Sequence, residues 1–321
     1  MSATWPTTPS VLSPMPTPDL LSRNRLERVR LADLTTMRIG GPADLLWLED
    51  RRDLPEVIEQ PHRWLGKGAN LLVGDDGVPG LVVKLGAAFD TMETVGVVGG
   101  VTTVRVGAAF DLAKLIGATV KAGLAGPEGL AGVPATVGGA LRMNAGTNTT
   151  WILDHVTRVE VVLPGTTTPR WIERADLPAA YRTCGLPSGV LFLSCEMALP
   201  SEDPAVLQAT ATRLKQAKAA TQPLAQPSAG CVFKNPRPDL PAGKLIDELG
   251  LKGTRIGGAE ISTIHGNFII NPGRSAFAGD VAALVRLIRT KAWKERGVEV
   301  NMEIETWACP ADLHVHPKEL V

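Results

Sequence analysis

Between residues 126 and 146 the chain reads GPEGLAGVPATVGGALRMNAG, with glycine at 126, 129, 132, 138, 139 and 146 and prolines at 127 and 134 that stiffen its turns. Such a stretch leaves many backbone N–H groups with no bulky side chain beside them. They can converge on a pyrophosphate without a Lys or Arg. The bland alternative is a plain loop tying strands together. A second glycine-rich segment, LGKGANLLVGDDG (65–77), makes two within a hundred residues, each flanked by apolar runs, which favours an anionic ligand. Neither is a Rossmann fingerprint. Gly66 and Gly68 are followed by Leu71 where a third glycine belongs, and no acidic residue follows at the βαβ distance. The Walker pattern is absent as well.

The remaining numbers narrow the class. A chain of 321 residues exceeds what one core usually serves, so two or three domains are expected. Lys+Arg and Asp+Glu are both 33, so no overall field draws in nucleic acid or a membrane surface. No apolar run reaches bilayer length, so no membrane insertion is expected. Cys184, Cys195, Cys231 and Cys309 form no CxxC pair and have no His cluster near them, so neither zinc nor a disulfide framework is expected. Scattered free thiols fit a reducing cytoplasm. The start, rich in Pro and Thr, lacks the basic region of a signal peptide and reads as a disordered tail over 1–22.

Periodicity predicts strands over 43–50 and 81–86 around a short helix at 51–60. It predicts a hairpin over 92–110 turning at Gly99-Gly100 and a helix over 111–123 with Leu112, Leu115, Ile116, Thr119 and Val120 on one face. A second hairpin over 156–173 and a strand over 189–200 follow. Helices are expected over 203–221 with Asp203 as N-cap, over 242–250, and over 279–297 with Asp280 as its cap. The last stretch, VEVNMEIETW (298–307), alternates as a strand with Glu299, Asn301, Glu303 and Glu305 on its polar face. Strand and helix patterns are interspersed, which makes the class α+β.

Eight segments, in order, resemble one family: TTMRIGGPAD (35–44), LGKGANLLVGDDG (65–77), GLAGVPATVGGALRMNAG (129–146), YRTC (181–184), AGCVFKNP (229–236), AGKLIDELGLKG (242–253), GGAEISTIHGNFIINPG (257–273) and VEVNMEIE (298–305). Together they are similar to the UDP-N-acetylenolpyruvoylglucosamine reductases, the MurB flavoenzymes of peptidoglycan precursor synthesis. The resemblance implies a PCMH-type two-subdomain FAD-binding fold, over 23–88 and 89–200, plus a C-terminal α+β substrate-binding domain over 201–310. A C-terminal tail would cover 311–321. No long insertion follows YRTC, which resembles the shorter subgroup lacking the lid loop.

The activity implied is NADPH-dependent, FAD-mediated reduction of UDP-N-acetylglucosamine enolpyruvate to UDP-N-acetylmuramate in the cytoplasm. Hydride comes from flavin N5 and a proton from the protein. A monomer is expected, with no nucleic-acid partner. Cys231 stands where most of the family carries the serine proton donor, and a thiol, with a reference pKa of about 8.5, gives up a proton more readily than an alcohol. Arg182 would support the developing enolate, since a fixed guanidinium suits a planar carboxylate. Glu303 would orient Arg182 or the proton-delivery water. Tyr181, Lys234, Asn235, Lys244 and His265 are the substrate-side candidates. FAD would lie on Gly66, Lys67, Gly68, Ala69, Asn70 and Leu71, and on Val133, Pro134, Ala135, Thr136, Gly138 and Gly139, with Arg38 nearby.

Besides Cys231, two positions and one stretch depart from the family pattern. Ala69 replaces a serine and removes a hydroxyl donor. Ala135 replaces a glycine and so requires φ below zero. TNTTW (147–151) follows MNAG where Ala-Tyr-Gly is common. Two rival readings are an oxygen-using PCMH flavoenzyme, and a nucleotide-sugar binding protein that has lost catalysis.

Overall fold

The computed structural model describes residues 17–147 and 150–320. In chain order the first elements are α1 (Pro18–Arg23), β1 (Arg25–Arg30), β2 (Pro42–Leu48), α2 (Leu54–Ile58), β3 (His62–Trp64), β4 (Leu71–Val73) and β5 (Leu81–Leu85). Then come β6 (Met92–Val98), β7 (Val101–Gly107), α3 (Leu112–Lys121), α4 (Val137–Arg142), β8 (Val156–Val162), β9 (Arg170–Glu173) and β10 (Leu191–Pro200). The chain finishes with α5 (Pro204–Thr221), β11 (Ser228–Cys231), α6 (Ala242–Glu248), β12 (Arg255–Ile256), β13 (Ala259–Ile261), β14 (Phe268–Ile270), α7 (Ala278–Arg296) and β15 (Glu305–Trp307).

Two compact units emerge. The first takes the chain up to Glu27, then Asp44–Gly66 and Gly80–Lys215; the second takes Arg28–Ala43, Lys67–Pro79 and everything from Gln216 onward. In the first unit, β5 pairs in parallel with β2 and β3. A separate five-stranded antiparallel sheet runs β6–β7–β10–β8–β9. The β6–β7 turn has both glycines left-handed, Gly99 at φ 57° and Gly100 at φ 79°, matching the twist of the strands it joins. Helix α3 begins on Asp111, whose carboxylate accepts the N–H groups of Ala113 and Lys114. It buries Leu112, Leu115, Ile116, Thr119 and Val120, the face read from the sequence. They join a core with α4 and the inner face of β10.

The second unit is built on the antiparallel sheet β11–β14–β13–β12, with β15 lying parallel to β4 in a separate pair. Helix α7 buries Val281, Leu284, Val285, Ile288 and Ala292, and ends at Gly297 in the left-handed conformation (φ 61°) that a helix stop favours.

Four expectations need correction. The tail reading over 1–22 lies outside the described residues as far as residue 16, but Pro18–Ser22 belong to α1. Thr17 Oγ1 accepts the Leu20 N–H at 3.2 Å, and Leu20 is fully buried, so a cap and an anchor outweigh the Pro/Thr composition. Residues 311–320 also pack rather than trail. Buried Arg289 donates to the carbonyls of Leu313 (2.8 Å) and Val315 (2.7 Å), with Leu313 buried. Asp280 is not the N-cap of α7, which is Phe277; it sits three residues in and accepts the N–H groups of Phe277 and Gly258. Finally, only Glu305–Trp307 of the 298–307 stretch is regular strand. The burial alternation survives, with Val300 and Ile304 buried and Asn301 and Glu305 exposed. The backbone before Glu305, however, bonds to residues 232–234 and 70 rather than to a continuous partner strand.

Candidate active site

Cys231 lies at the end of a bulge. Ser228 pairs with Ile270 and Cys231 with Phe268, so three steps on β11 oppose two on β14. Gly230, at φ 78°, supplies the left-handed residue that lets the register shift. The chain beyond Cys231 is then pinned on both sides. Val232 N–H donates to Asn267 O (2.9 Å), and Val232 O accepts the Glu303 N–H at 2.7 Å. Asn267 is 3% exposed, and its side chain takes both polar groups of Phe233: Oδ1 accepts the N–H at 2.9 Å and Nδ2 donates to the carbonyl at 2.8 Å. Lys234 N–H reaches Asn301 O at 2.8 Å. On the far side of Glu303, Asn70 Nδ2 donates to the Glu303 carbonyl at 3.1 Å, and Asn70 O accepts the Glu305 N–H at 2.9 Å. Glu303 is therefore bonded directly to Val232, the residue after Cys231, although 71 positions of sequence separate the two.

The other cysteines sit differently. Cys184 and Cys195 are fully buried, and burial pushes the Cys195 thiol up to about 12. Burial, then the charge of Asp75, pushes Cys309 up to about 12 as well. Cys231 is half-buried and lies beside a carboxylate-bearing segment.

In the first unit, Arg182 occupies the third position of a tight turn closed by Ala180 N–H to Thr183 O (3.0 Å) and Thr183 N–H to Ala180 O (3.2 Å). Its φ of 59° is left-handed, a conformation that costs an L-residue about 1–2 kcal/mol and that turns of this kind normally assign to Gly or Asn. The guanidinium lies over two aromatic rings, 5.3 Å from the Tyr181 centroid and 5.8 Å from that of Trp151, and Nη1 donates to Gly146 O at 3.4 Å. Asn144, also left-handed at φ 41°, ties this turn to the glycine-rich loop through Nδ2 to Ala180 O (3.3 Å).

The glycine-rich loops spend part of their backbone internally. Val137 and Gly138 N–H groups bond Phe110 and Ala108 carbonyls, Gly139 N–H caps onto Thr136 Oγ1 (3.2 Å), and Ala135 O accepts Leu112 N–H. Val133 N–H bonds Leu130 O, and Pro134 is exposed. Ala135 has no positive φ, as its replacement of glycine requires. A Cβ on Gly138 would lie 2.9 Å from Ala108 Cβ, which excludes a side chain there without a shift, and one on Gly66 would lie 3.0 Å from Thr136 Oγ1, a tight fit. Asn144 Oδ1 is buried and receives no donor among the described residues. A small-residue surface beside an acceptor that needs a donor fits a dinucleotide bearing both phosphates and ring N–H groups. Gly66 belongs to the first unit. Lys67, Gly68, Ala69, Asn70 and buried Leu71 belong to the second. There Gly68 is left-handed (φ 63°), and its carbonyl accepts from Thr36 N–H at 3.1 Å. Arg38, exposed and at φ 59°, donates to Asp33 O.

The substrate-side candidates divide. Tyr181 is 46% exposed beside Arg182, and Lys234 is exposed next to the Cys231 segment. Asn235 is occupied locally, its Oδ1 accepting the Ala242 N–H at 3.0 Å at the start of α6. Lys244 is exposed and pairs with Glu248 at 3.7 Å. His265 packs over Gly243 and edge-on to Phe268, and its Nδ1 accepts the Asn267 N–H at 3.2 Å. Burial, then the charge of Lys252, holds its imidazole below the ordinary histidine range. Asn267, Trp151 and Asn144 are not among the site residues that the sequence suggests. A single Asn or Trp without periodic context carries no signal.

Comparison with known proteins identifies the family. A family model described as UDP-N-acetylenolpyruvoylglucosamine reductase, C-terminal domain, matches residues 222–307, and an FAD binding domain model matches 56–170. The UDP-N-acetylenolpyruvoylglucosamine reductase of Thermus thermophilus is 42% identical over 286 residues, covering 88% of this chain and 99% of its own. That of Bacillus velezensis is 35% identical over 290 residues, covering 87% and 93%. The crystal structure of the Thermus caldophilus UDP-N-acetylenolpyruvylglucosamine reductase (MurB) superposes with a TM-score of 0.78 at 39% identity, covering 88% of this chain and 99% of that one. The chain therefore belongs to the UDP-N-acetylenolpyruvoylglucosamine reductase family, with an FAD-binding PCMH-type domain followed by the MurB C-terminal domain.

Proposed function

We propose that this protein reduces UDP-N-acetylglucosamine enolpyruvate to UDP-N-acetylmuramate for peptidoglycan precursor synthesis, with Cys231 as the proton donor. Family membership supports the reaction. The observation that supports the residue assignment is the 2.7 Å backbone bond from Glu303 N–H to Val232 O, which brings the segments carrying the candidate acid and the candidate carboxylate side by side within one unit. Gly66 to Leu71 and Val133 to Gly139 would hold FAD, which would supply the hydride, with NADPH as its source.

The chain's own residues then have three tasks. Arg182 meets the carboxylate of the enolpyruvyl group and offsets the negative charge that grows on it. Cys231 S–H gives its proton to the carbon beside that carboxylate and later regains one from water. Glu303 orients the water or side chain that serves this transfer. Tyr181 and Lys234 contact the nucleotide sugar. Asn235, Lys244 and His265 stay in the proposal as neighbours of that contact, with His265 acting through Asn267. We further propose the division at 88/89 and 200/201, the shorter subgroup without a lid loop, and a cytoplasmic monomer. Among the described residues no helix is long and apolar enough to cross a membrane.

The test is anaerobic. Purified protein is examined for the oxidised flavin spectrum, bleached with NADPH, and mixed with UDP-N-acetylglucosamine enolpyruvate. Return of the yellow spectrum without oxygen is the expected result. Return only on admitting oxygen favours the oxidase reading. A colourless protein that still binds the nucleotide sugar favours a binding protein.

A further inference from the structure

Trp151 falls within TNTTW, the stretch that departs from the family pattern. It is half-exposed and stands outside the buried core. A half-exposed indole on a soluble surface is unremarked when it faces only water or apolar neighbours. This one faces a charge.

Its placement is closely determined. Trp151 N–H donates to Asp154 Oδ2 at 2.7 Å, and the next residue, Ile152, donates to Ala145 O at 2.8 Å. Trp151 bridges Gly146, and a Cβ on that glycine would lie 2.3 Å from the indole Cε3. Only the missing side chain lets the ring in. The same Gly146 presents its carbonyl to Arg182 Nη1 at 3.4 Å. Trp151 and Tyr181 meet edge to face, 5.9 Å apart at 87°, and the guanidinium lies within 6 Å of both ring centroids, inside the range of cation–π attraction. Tyr181 is the more exposed wall, and Trp151, tied down by its backbone bonds and by Gly146, is the better-anchored one. Arg182 itself stands on a left-handed backbone, at φ 59°.

We propose that Trp151 is a positioning residue: its indole holds the Arg182 guanidinium at the angle needed for the carboxylate of the substrate. The inference rests on the reductase reading above and goes beyond it. The indole takes no proton or hydride. It acts only on the half of the reaction in which charge develops beside Arg182.

The half-reactions separate this role from a structural one. FAD-loaded wild type, Trp151→Leu and Trp151→Phe are compared for flavin content, melting temperature, anaerobic bleaching by NADPH, and the concentration dependence of reoxidation by UDP-N-acetylglucosamine enolpyruvate. The expected result for Trp151→Leu is unchanged flavin content and bleaching. Its limiting reoxidation rate falls about tenfold, with the apparent substrate affinity held within about twofold. Trp151→Phe, which keeps an aromatic face, stays within about threefold of wild type. Combined with Arg182→Lys, Trp151→Leu adds less than its separate effect. If Leu does not fold, Trp151→Met gives the same reading. Parallel losses in melting temperature and both half-reactions overturn the proposal in favour of a plain cover. A loss of affinity at unchanged limiting rate overturns it in favour of an indole that stacks on the substrate, and no effect at all overturns it outright. If wild-type reduced flavin is not reoxidised by the substrate, the reductase reading itself has failed, an outcome seen before any variant is made.

Discussion

Arg182 and Cys231 are held in opposite ways. Arg182 rides a two-residue turn in a disfavoured backbone conformation, steadied by two aromatic faces and one long hydrogen bond to Gly146. Cys231 sits where a bulged strand meets a ladder, with Asn267 and the Glu303 backbone bonded to the two residues after it and Asn70 clasping Glu303 in turn. One position stores strain, and the other is over-determined. A guanidinium that must meet a carboxylate gains from being aimed at a tip, whereas a proton donor gains from a fixed distance to its partner.

The ladder side should break hardest. Asn267→Ala strands both the N–H and the carbonyl of buried Phe233, and each orphaned group costs about 1–3 kcal/mol. A total loss near about 3 kcal/mol is expected in chemical denaturation, together with slowed reoxidation by substrate. Asn70→Ala removes the bond to the half-buried Glu303 carbonyl while the backbone bond to Glu305 stays, so about 1 kcal/mol is expected. A loss as large as that of Asn267 would mean that the Asn70 clasp, not the Asn267 pair, is the keystone.

The turn side should behave differently. Arg182→Gly relieves left-handed strain of about 1 kcal/mol and gives up cation–π contacts worth about the same, so the unfolding midpoint should barely move while the substrate half-reaction collapses. A large drop in stability would show that Arg182 is part of the scaffold and not a strained tip.

The smallest effect is in pH. His265 is held neutral and below its ordinary value, and its Nδ1 accepts the Asn267 N–H. The unfolded chain therefore takes up a proton before the folded one does. The stability that His265 contributes is complete above the ordinary histidine value of about 6.5 and drains as pH falls from there through the lower folded value. Wild type should lose stability more steeply than His265→Gln between pH 7 and pH 5 in denaturation midpoints. Equal slopes would remove His265 from the ladder.

These contrasts also mark what the sequence could carry. The buried face of helix α3 was readable to the residue, because one apolar stripe and the stop at Gly123 report the same element, while its bounds were not: of the expected 111–123 only Leu112–Lys121 is helix, with Asp111 as its cap. The 92–107 hairpin was readable because two adjacent glycines leave few alternatives. The alternation in 298–307 gave the right faces and the wrong element, since a period of two records burial and says nothing of which backbone accepts the hydrogen bonds. Cys231, Glu303 and Arg182 came from the family resemblance and not from their own surroundings. The Asn267 pair joins residues 34 apart and the Asn70 clasp residues 233 apart, distances at which local pattern is silent. Trp151 lay in the departure itself, where resemblance has nothing to offer.

The most direct test of the account concerns Cys231. Reduced, FAD-loaded Cys231→Ala and Cys231→Ser are mixed anaerobically with UDP-N-acetylglucosamine enolpyruvate, and flavin reoxidation is followed in a single turnover. A general acid is worth about 10²–10⁴ in rate. The account predicts a loss of that order for Ala with bleaching by NADPH intact, and substantial retention for Ser, which still carries a proton. Reoxidation of Cys231→Ala at the wild-type rate would contradict it.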